Sequence, residues 1–268
     1  MDTSTLAHLC AQVEEVALKA GSFLMQEIGR VNQDQIEEKS LNSLVSYVDR
    51  TAEEMIVEGL TALLPEAGFL TEEETTDQNT DTPQRWIIDP LDGTTNFLFG
   101  LPCFSVSIAL EVDKELVLGV VYEPNRQECF SAWAGGGAHL NGQLIKVRSN
   151  DQLAKSLLAT GFPYYDYSRM EPYINLFRHL AKNTRGIRRW GSAAIDLAYT
   201  AAGRIDGFYE YSLNAWDVAA GIVLVREAGG IVTDFSGQDN SLNNGEIVAA
   251  SGAIHNVLLA QVHQHMGV

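Results

Sequence analysis

Residues Trp86 to Phe97 read WIIDPLDGTTNF. An apolar run, Trp86-Ile87-Ile88, leads directly into two carboxylates, Asp89 and Asp92, and then into Gly93, Thr94 and Thr95. Two carboxylates at the mouth of a strand repel each other, a cost that a cation between them removes. Hard divalent cations take oxygen ligands, and Mg²⁺ is usually held by a few carboxylates together with substrate phosphate. The backbone N–H groups of Gly93 and Thr94, at a helix start, suit a phosphate. The same residues also make an ordinary capped turn, because Asp and Gly are common there. Three further acidic positions stand out: Glu72 to Glu74 in FLTEEET, Asp217 in LNAWDVAAG, and Asp49 after LVSYV. Each has a plain reading beside the chemical one, a solvated loop for the glutamates and helix-end capping for the two aspartates.

The elements that must position these groups follow from periodicity. Leu6, Leu9, Val13, Val16, Ala20, Phe23 and Leu24 carry three-and-four spacing, which predicts an amphipathic helix over Thr5 to Gly29. A second helix is expected from Asp49, with Thr51 and Glu54 as a capping box, to a stop before Pro65. Thr71 to Pro83 is polar and acidic, a surface loop. Strands are expected at Arg85–Asp89, ending where Pro90 interrupts, and at Phe104–Val112, Leu116–Tyr122 and Glu128–Trp133. The second half alternates: strands at Ser156–Thr160, Gly186–Arg189, Asp206–Tyr211, Ile231–Phe235 and Ile247–Ser251. Helices are expected between and after them at Arg169–Lys182, Ser192–Ala202, Trp216–Ala228 and Ala253–His265. Meander strands first and strand–helix alternation later predict a mixed α/β protein of two halves, 1–150 and 151–268, joined near Ser149–Leu153.

The chain has 268 residues, enough for a substantial core, and a net charge of −17. Such an acid excess argues against a nucleic-acid backbone or an anionic membrane as the main partner. It would also repel a phosphate substrate unless something local reverses the field. No apolar run approaches bilayer length, the N-terminus lacks a signal-like core, and Cys10, Cys103 and Cys129 show no CxxC spacing. A cytoplasmic protein with reduced thiols is the simplest expectation.

Taken in order, Glu72-Glu73, WIIDPLDGTTNF, GSAAIDLAYTAAGRIDGFYE (Gly191 to Glu210) and WDVAAGIVLVREAGG (Trp216 to Gly230) resemble the inositol monophosphatase family of Mg²⁺-dependent, lithium-sensitive phosphatases, its bacterial and archaeal members above all. The resemblance covers most of the chain and implies a layered α-β-α-β-α sandwich. It further implies that Glu72, Asp89 and the Leu91 carbonyl hold one Mg²⁺. Asp89, Asp92 and Asp217 would hold a second, and a third, weaker ion would lie near Glu72. Thr94, supported by Asp49, would activate the attacking water, with Glu72 also part of the catalytic set. Gly93 and Thr94 would cradle the phosphate. Substrate hydroxyls would meet Asp92, Asp217, Glu210 and the turn Gly191-Ser192-Ala193, with Arg188 nearby and Lys39 close to the site. A homodimer is implied, and bacterial relatives suggest a regulatory protein partner as a second role. Metals of this kind would invert the local charge and admit a phosphate dianion to an acidic protein.

Some features depart from the family pattern. Thr71 stands where Gly often precedes the Glu pair, the loop from Thr75 to Gln84 is short, and Trp190 is bulky beside the substrate turn. These bear on substrate choice. Inositol 1-phosphate leads, fructose 1,6-bisphosphate, NADP and histidinol phosphate are alternatives, and Thr95, where the nucleotide branch usually has Lys, weighs against 3′-phosphoadenosine 5′-phosphate. AGGGAHLNG (Ala134 to Gly142) lacks the Lys-Ser/Thr ending of a P-loop and reads as a hairpin turn. Tyr164, Tyr165 and Tyr167 suit either a cleft or an interface. Ser192 and Cys103 have no adjacent His, so a covalent mechanism has little support.

Overall fold

The computed structural model describes residues 1–40, 43–79, 81–164 and 166–267, with backbone alone at Gln33, Lys39, Ser40 and Ser43. Tyr165 and the Lys39 side chain therefore lie outside the described residues. In chain order the elements are α1 (Thr3–Glu27), β1 (Ile36–Ser40), β2 (Ser43–Ser46), α2 (Tyr47–Leu63), β3 (Gly68–Thr71), β4 (Gln84–Asp92), α3 (Thr94–Leu98), β5 (Ser105–Val112), β6 (Glu115–Glu123), β7 (Glu128–Trp133), β8 (Gly137–Leu140) and β9 (Gln143–Ile145). There follow β10 (Leu157–Thr160), α4 (Met170–Asn183), β11 (Gly186–Arg188), α5 (Ala193–Ala201), β12 (Gly207–Tyr211), α6 (Ala215–Glu227), β13 (Ile231–Thr233), α7 (Ser241–Asn244), β14 (Glu246–Ala250) and α8 (Gly252–Met266).

Strands β3 to β9 form a seven-stranded sheet in sequence order, and β11-β10-β12-β14-β13 form a five-stranded one. Helices α1 and α2 pack together on one face of the larger sheet, burying Leu9, Val13, Ile56 and Leu60 against Trp86 and Ile108. Helices α5 and α6 fill the space between the two sheets, and their side chains are apolar nearly all round, as a doubly covered helix requires. Helices α4 and α8 close the outer face of the smaller sheet over Tyr173, Leu176 and Leu258. This is the five-layered α-β-α-β-α arrangement. The two sheets divide on either side of residue 150. Among the described residues no helix is long and apolar enough to cross a membrane.

Two expectations near the acidic positions need correction. Helix α2 starts at Tyr47, not Asp49: Ser46 is the N-cap and Asp49 completes the capping box, so Thr51 and Glu54 lie inside the helix. Strand β4 also does not end at Pro90 but runs nine residues to Asp92. Asp89 pairs with Ser107 and Asp92 with Ser105, so three steps on β4 match two on β5. The extra residue is a β-bulge, where a Pro without an N–H is tolerated.

Candidate active site

That bulge determines where the carboxylates point. Residues three apart on a regular strand face opposite sides of the sheet. One inserted residue restores the phase, and Asp89 and Asp92 both line the same cavity. Strand β3 runs parallel to β4, with Thr71 opposite Ile88, so Glu72 emerges at the same sheet edge, and its N–H donates to the Ile88 carbonyl at 3.3 Å. Opposite Asp89 on β5, the Ser107 hydroxyl donates to the Trp216 carbonyl at 3.3 Å, which seats the start of α6 and brings Asp217 to the cavity.

The N-termini of several helices meet here, each facing a carboxylate. Asp217 accepts the Asn214 N–H at 2.6 Å through Oδ2, the third residue of a capping box on α6. Asp92 Oδ2 accepts from Ser192 Oγ at 2.6 Å and from the Ala194 N–H at 2.7 Å at the start of α5. Asp49 Oδ2 accepts from the Ser46 N–H and Oγ, both at 2.8 Å. Its other oxygen, Oδ1, lies 3.0 Å from Thr94 Oγ1, which is also 3.0 Å from the Leu91 carbonyl. Capping and site-building are thus one arrangement, since helix N-termini favour negative charge. Gly93 supplies the sharp turn between Asp92 and Thr94 at φ +99°, and a Cβ there would stand 3.0 Å from the Cys103 carbonyl.

Electrostatics distinguish these carboxylates from ordinary caps. Burial, followed by the charges of Glu72, Asp92 and Asp217, pushes the Asp89 carboxyl well above the usual carboxylate range. Asp217 is raised in the same way, by burial first and then by Asp92 and Glu72. Asp92 is pushed up to about 6 by burial, with the Ser192 and Ala194 donors opposing. Burial also raises Asp49, against its Ser46 and Thr94 donors, and pushes Glu210 up to about 8 against the Arg189 charge. Among the described residues Arg189 is the only cationic side chain lining the cavity.

Buried Asp89 and Asp92 with half-buried Glu72 and Asp217, all-oxygen donors of one sign, have the chemistry a hard divalent cation requires. They are not a ready-made chelate: among the described residues no three His, Cys, Asp or Glu side chains already stand grouped around one ion position.

Of the sequence-predicted residues, Glu72, Asp89, Leu91, Asp92, Gly93, Thr94, Gly191, Ser192, Ala193, Glu210 and Asp217 all line this one cavity. Asp49 stands behind Thr94. Arg188 is the exception: it does not line the cavity, where Arg189 stands instead. Neighbours along an extended chain point to opposite faces, so only one of the two arginines can turn inward. Tyr164 lines the cleft and takes a hydrogen bond from Arg189 at 2.9 Å.

Sequence reasoning missed Glu53 and Asp196. Glu53 is fully buried and accepts, all at 2.8 Å, from the Thr71 hydroxyl, the Glu73 N–H and both the N–H and hydroxyl of Thr75, so it pins the segment that carries Glu72. Its spacing of four from Asp49, on the buried face of α2, was the available signal. Asp196 was visible as the single charged residue in AAIDLAYTA.

The family model described as the inositol monophosphatase family matches residues 6–267. The chain is 43% identical over 248 residues to an inositol-1-monophosphatase of Mesorhizobium japonicum, covering 92% of this chain and 93% of that protein. It is 43% identical over 256 residues to the Nus factor SuhB of Pseudomonas aeruginosa, covering 93% and 94%. The solved structure of the extragenic suppressor protein suhB from Bartonella henselae superposes with a TM-score of 0.90 at 40% identity, over 95% of this chain and 98% of that one. With the match spanning nearly its whole length, the chain belongs to the inositol monophosphatase family.

Proposed function

We propose that the chain is a Mg²⁺-dependent phosphomonoesterase that hydrolyses inositol 1-phosphate to inositol and phosphate. The observation that carries this reading is the convergence of Glu72, Asp89, Asp92 and Asp217 on one cavity beside the Thr94–Asp49 pair. Relatives named inositol-1-monophosphatase support the substrate. In this reading Glu72, Asp89 and the Leu91 carbonyl hold one Mg²⁺, and Asp89, Asp92 and Asp217 hold a second, with a weaker third near Glu72. Bound there, such ions neutralise phosphate charge and lower the pKa of water toward neutrality.

The chain's own groups then orient the reaction. The Thr94 hydroxyl donates to Asp49 Oδ1 at 3.0 Å, so as a water proton passes to Thr94 Oγ1 the hydroxyl's own proton passes on to Asp49. The Gly93 and Thr94 N–H groups face the phosphate, and Glu210 and the Gly191-Ser192-Ala193 turn meet the polyol, with Arg189 in the place expected of Arg188.

A phosphate-release panel tests this: inositol 1-phosphate, fructose 1,6-bisphosphate, histidinol phosphate, 3′-phosphoadenosine 5′-phosphate and NADP, each with Mg²⁺, with excess EDTA and with lithium. The expected result is fastest release from inositol 1-phosphate, loss of turnover in EDTA and inhibition by lithium. Full activity in EDTA would overturn the metal role. A different preferred ester would move the substrate but not the chemistry.

Relatives named Nus factor SuhB favour a second, protein-binding role beside hydrolysis. We propose a homodimer that also engages a regulatory protein partner. Light scattering should give twice the chain mass, and pull-downs with and without Mg²⁺ should retain a specific partner. A monomer at micromolar concentration, or no retained protein, would reject the corresponding half of this reading.

A further inference from the structure

The turn that faces the phosphate and the turn that meets the polyol come from opposite halves of the chain, and both are built on glycine. Gly93 has φ +99° and Gly191 has φ +89°, a backbone region that strains other residues. Neither position has room for a Cβ. One on Gly93 would stand 3.2 Å from the Gly191 carbonyl, and one on Gly191 would stand 2.9 Å from Asn96 Nδ2. The two turns therefore lie directly against each other.

Asn96 joins them. Its amide Nδ2 donates to the Cys103 carbonyl at 2.7 Å and to the Trp190 carbonyl at 2.8 Å. An amide NH₂ has two protons to give, and both are used here. Cys103 is seven residues away and closes the loop after α3, whereas Trp190 is 94 residues away and leads into the substrate turn. Local loop closure needs only the first bond. The second crosses between the halves, and no step of the hydrolysis uses it. Asp92, earlier in the same motif, grips the far side of that turn through the Ser192 hydroxyl at 2.6 Å and the Ala194 N–H at 2.7 Å. Gly191-Ser192-Ala193 is thus held at its entering carbonyl by Asn96 and at its leaving N–H by Asp92.

Resting on the phosphomonoesterase reading above, we infer that Asn96 is a positioning residue that fixes the polyol-facing turn relative to the phosphate-facing turn, and so sets the affinity for ring polyol esters. A ring ester bridges both turns, its phosphate at one and its hydroxyls at the other. Without Asn96 the Trp190 carbonyl loses its donor and the turn is held at one end only. A misplacement of about 1 Å at such a contact costs up to about 10²-fold. Inorganic phosphate and an aryl ester rest on the Gly93 turn alone, so the same displacement leaves them unaffected. A contact made equally in the bound substrate and the transition state shows its loss in KM, not kcat.

The test measures kcat and KM on myo-inositol 1-phosphate and on p-nitrophenyl phosphate, and the inhibition constant of inorganic phosphate, with Mg²⁺ present. It compares the wild type with Asn96→Ala and Asn96→Gln. Asn96→Ala loses both hydrogen bonds and should raise KM for the polyol ester by about 10–100-fold, with kcat changed less than about 3-fold. KM for the aryl ester and the phosphate constant should stay within about 3-fold of the wild type. Asn96→Gln keeps the amide on a longer arm and should restore part of the loss, leaving KM about 3–10-fold raised on the polyol ester alone. It carries the test by itself if the Ala variant fails to fold. A kcat loss on both esters would make Asn96 a support for Thr94. Equal KM changes on both esters, or none on either, would make it a loop-closing residue, and each of these results overturns the inference. A wild type that hydrolyses neither ester would overturn the phosphomonoesterase reading, and one that hydrolyses only the aryl ester would overturn the polyol assignment. An active wild type with non-discriminating variants would overturn this inference alone.

Discussion

Thr94→Ala is expected to lower kcat by about 10²–10⁴-fold while KM changes little, because general acid–base assistance to a reacting water is worth that much. The geometry narrows what the residue can be doing. One hydroxyl proton has two acceptors, Asp49 Oδ1 and the Leu91 carbonyl, each 3.0 Å away. Whichever accepts it, the Thr94 oxygen keeps lone pairs for a water in the cavity. Asp49 is itself fixed by the Ser46 N–H and hydroxyl, so the pair is rigid before substrate arrives. Thr94→Ser retains the hydroxyl and should keep most activity. Asp49→Asn should lower kcat as well, and the double variant Thr94→Ala/Asp49→Asn should be little worse than Thr94→Ala, since residues acting as one unit are not additive. Steady-state kinetics on variants with wild-type circular dichroism checks this. An unchanged kcat in folded Thr94→Ala would remove the residue from the mechanism, and full additivity would separate it from Asp49.

Much of this site was legible because its residues come in dense runs. WIIDPLDGTTNF carries two acids, a turn glycine and a hydroxyl within a few residues of one another, and the α5 and α6 segments are largely apolar around Asp196 and Asp217, which marks them as interior helices. What escaped depends on distance across the fold. The bulge at Pro90 appears only when β5 is laid against β4, because a sequence gives no register. Without it, Asp89 and Asp92 would point to opposite faces of the sheet. Arg188 and Arg189 are the same residue type, and which one turns inward depends on strand phase. Strand β1, IEEKS, is too polar to show alternation and is formed by its pairing with β2. Strand β3, GFLT, is too short for periodicity to separate it from the start of the loop. Glu53 looks like any helical surface glutamate until Thr71, Glu73 and Thr75 fold back onto it.

The cap-or-ligand ambiguity of Asp217 leads to the second large expected effect, on stability. The structure makes Asp217 both: it accepts the Asn214 N–H at 2.6 Å and it lines the cavity among like charges. The two roles respond oppositely to Asp217→Asn. The amide oxygen still accepts the Asn214 N–H, so most of a cap worth about 0.5–2 kcal/mol survives. The lost helix-dipole interaction costs about 0.3–1 kcal/mol. Against that, the substitution removes a carboxyl whose ionised form is disfavoured by burial, Asp92 and Glu72. In EDTA the variant should therefore melt no lower than the wild type. Mg²⁺ binds the folded state and scarcely the unfolded one, so at about 100 times its Kd it should stabilise the wild type by about 2.7 kcal/mol. For a chain of this size that is roughly 5–10 °C in Tm. Asp217→Asn should gain clearly less, having lost a ligand. The pH dependence has a definite sign. Asp92 sits at about 6, and Asp89 and Asp217 well above the usual carboxylate range, so the folded chain holds protons that the unfolded chain has released. Their contribution to metal-free stability is full below about pH 4 and is lost as pH rises through 6 and beyond. Melting curves of both proteins in EDTA and in Mg²⁺, at pH 5 and pH 8, measure all of this. A variant that melts several degrees lower in EDTA at pH 8, yet gains as much from Mg²⁺ as the wild type, would make Asp217 a cap and no ligand.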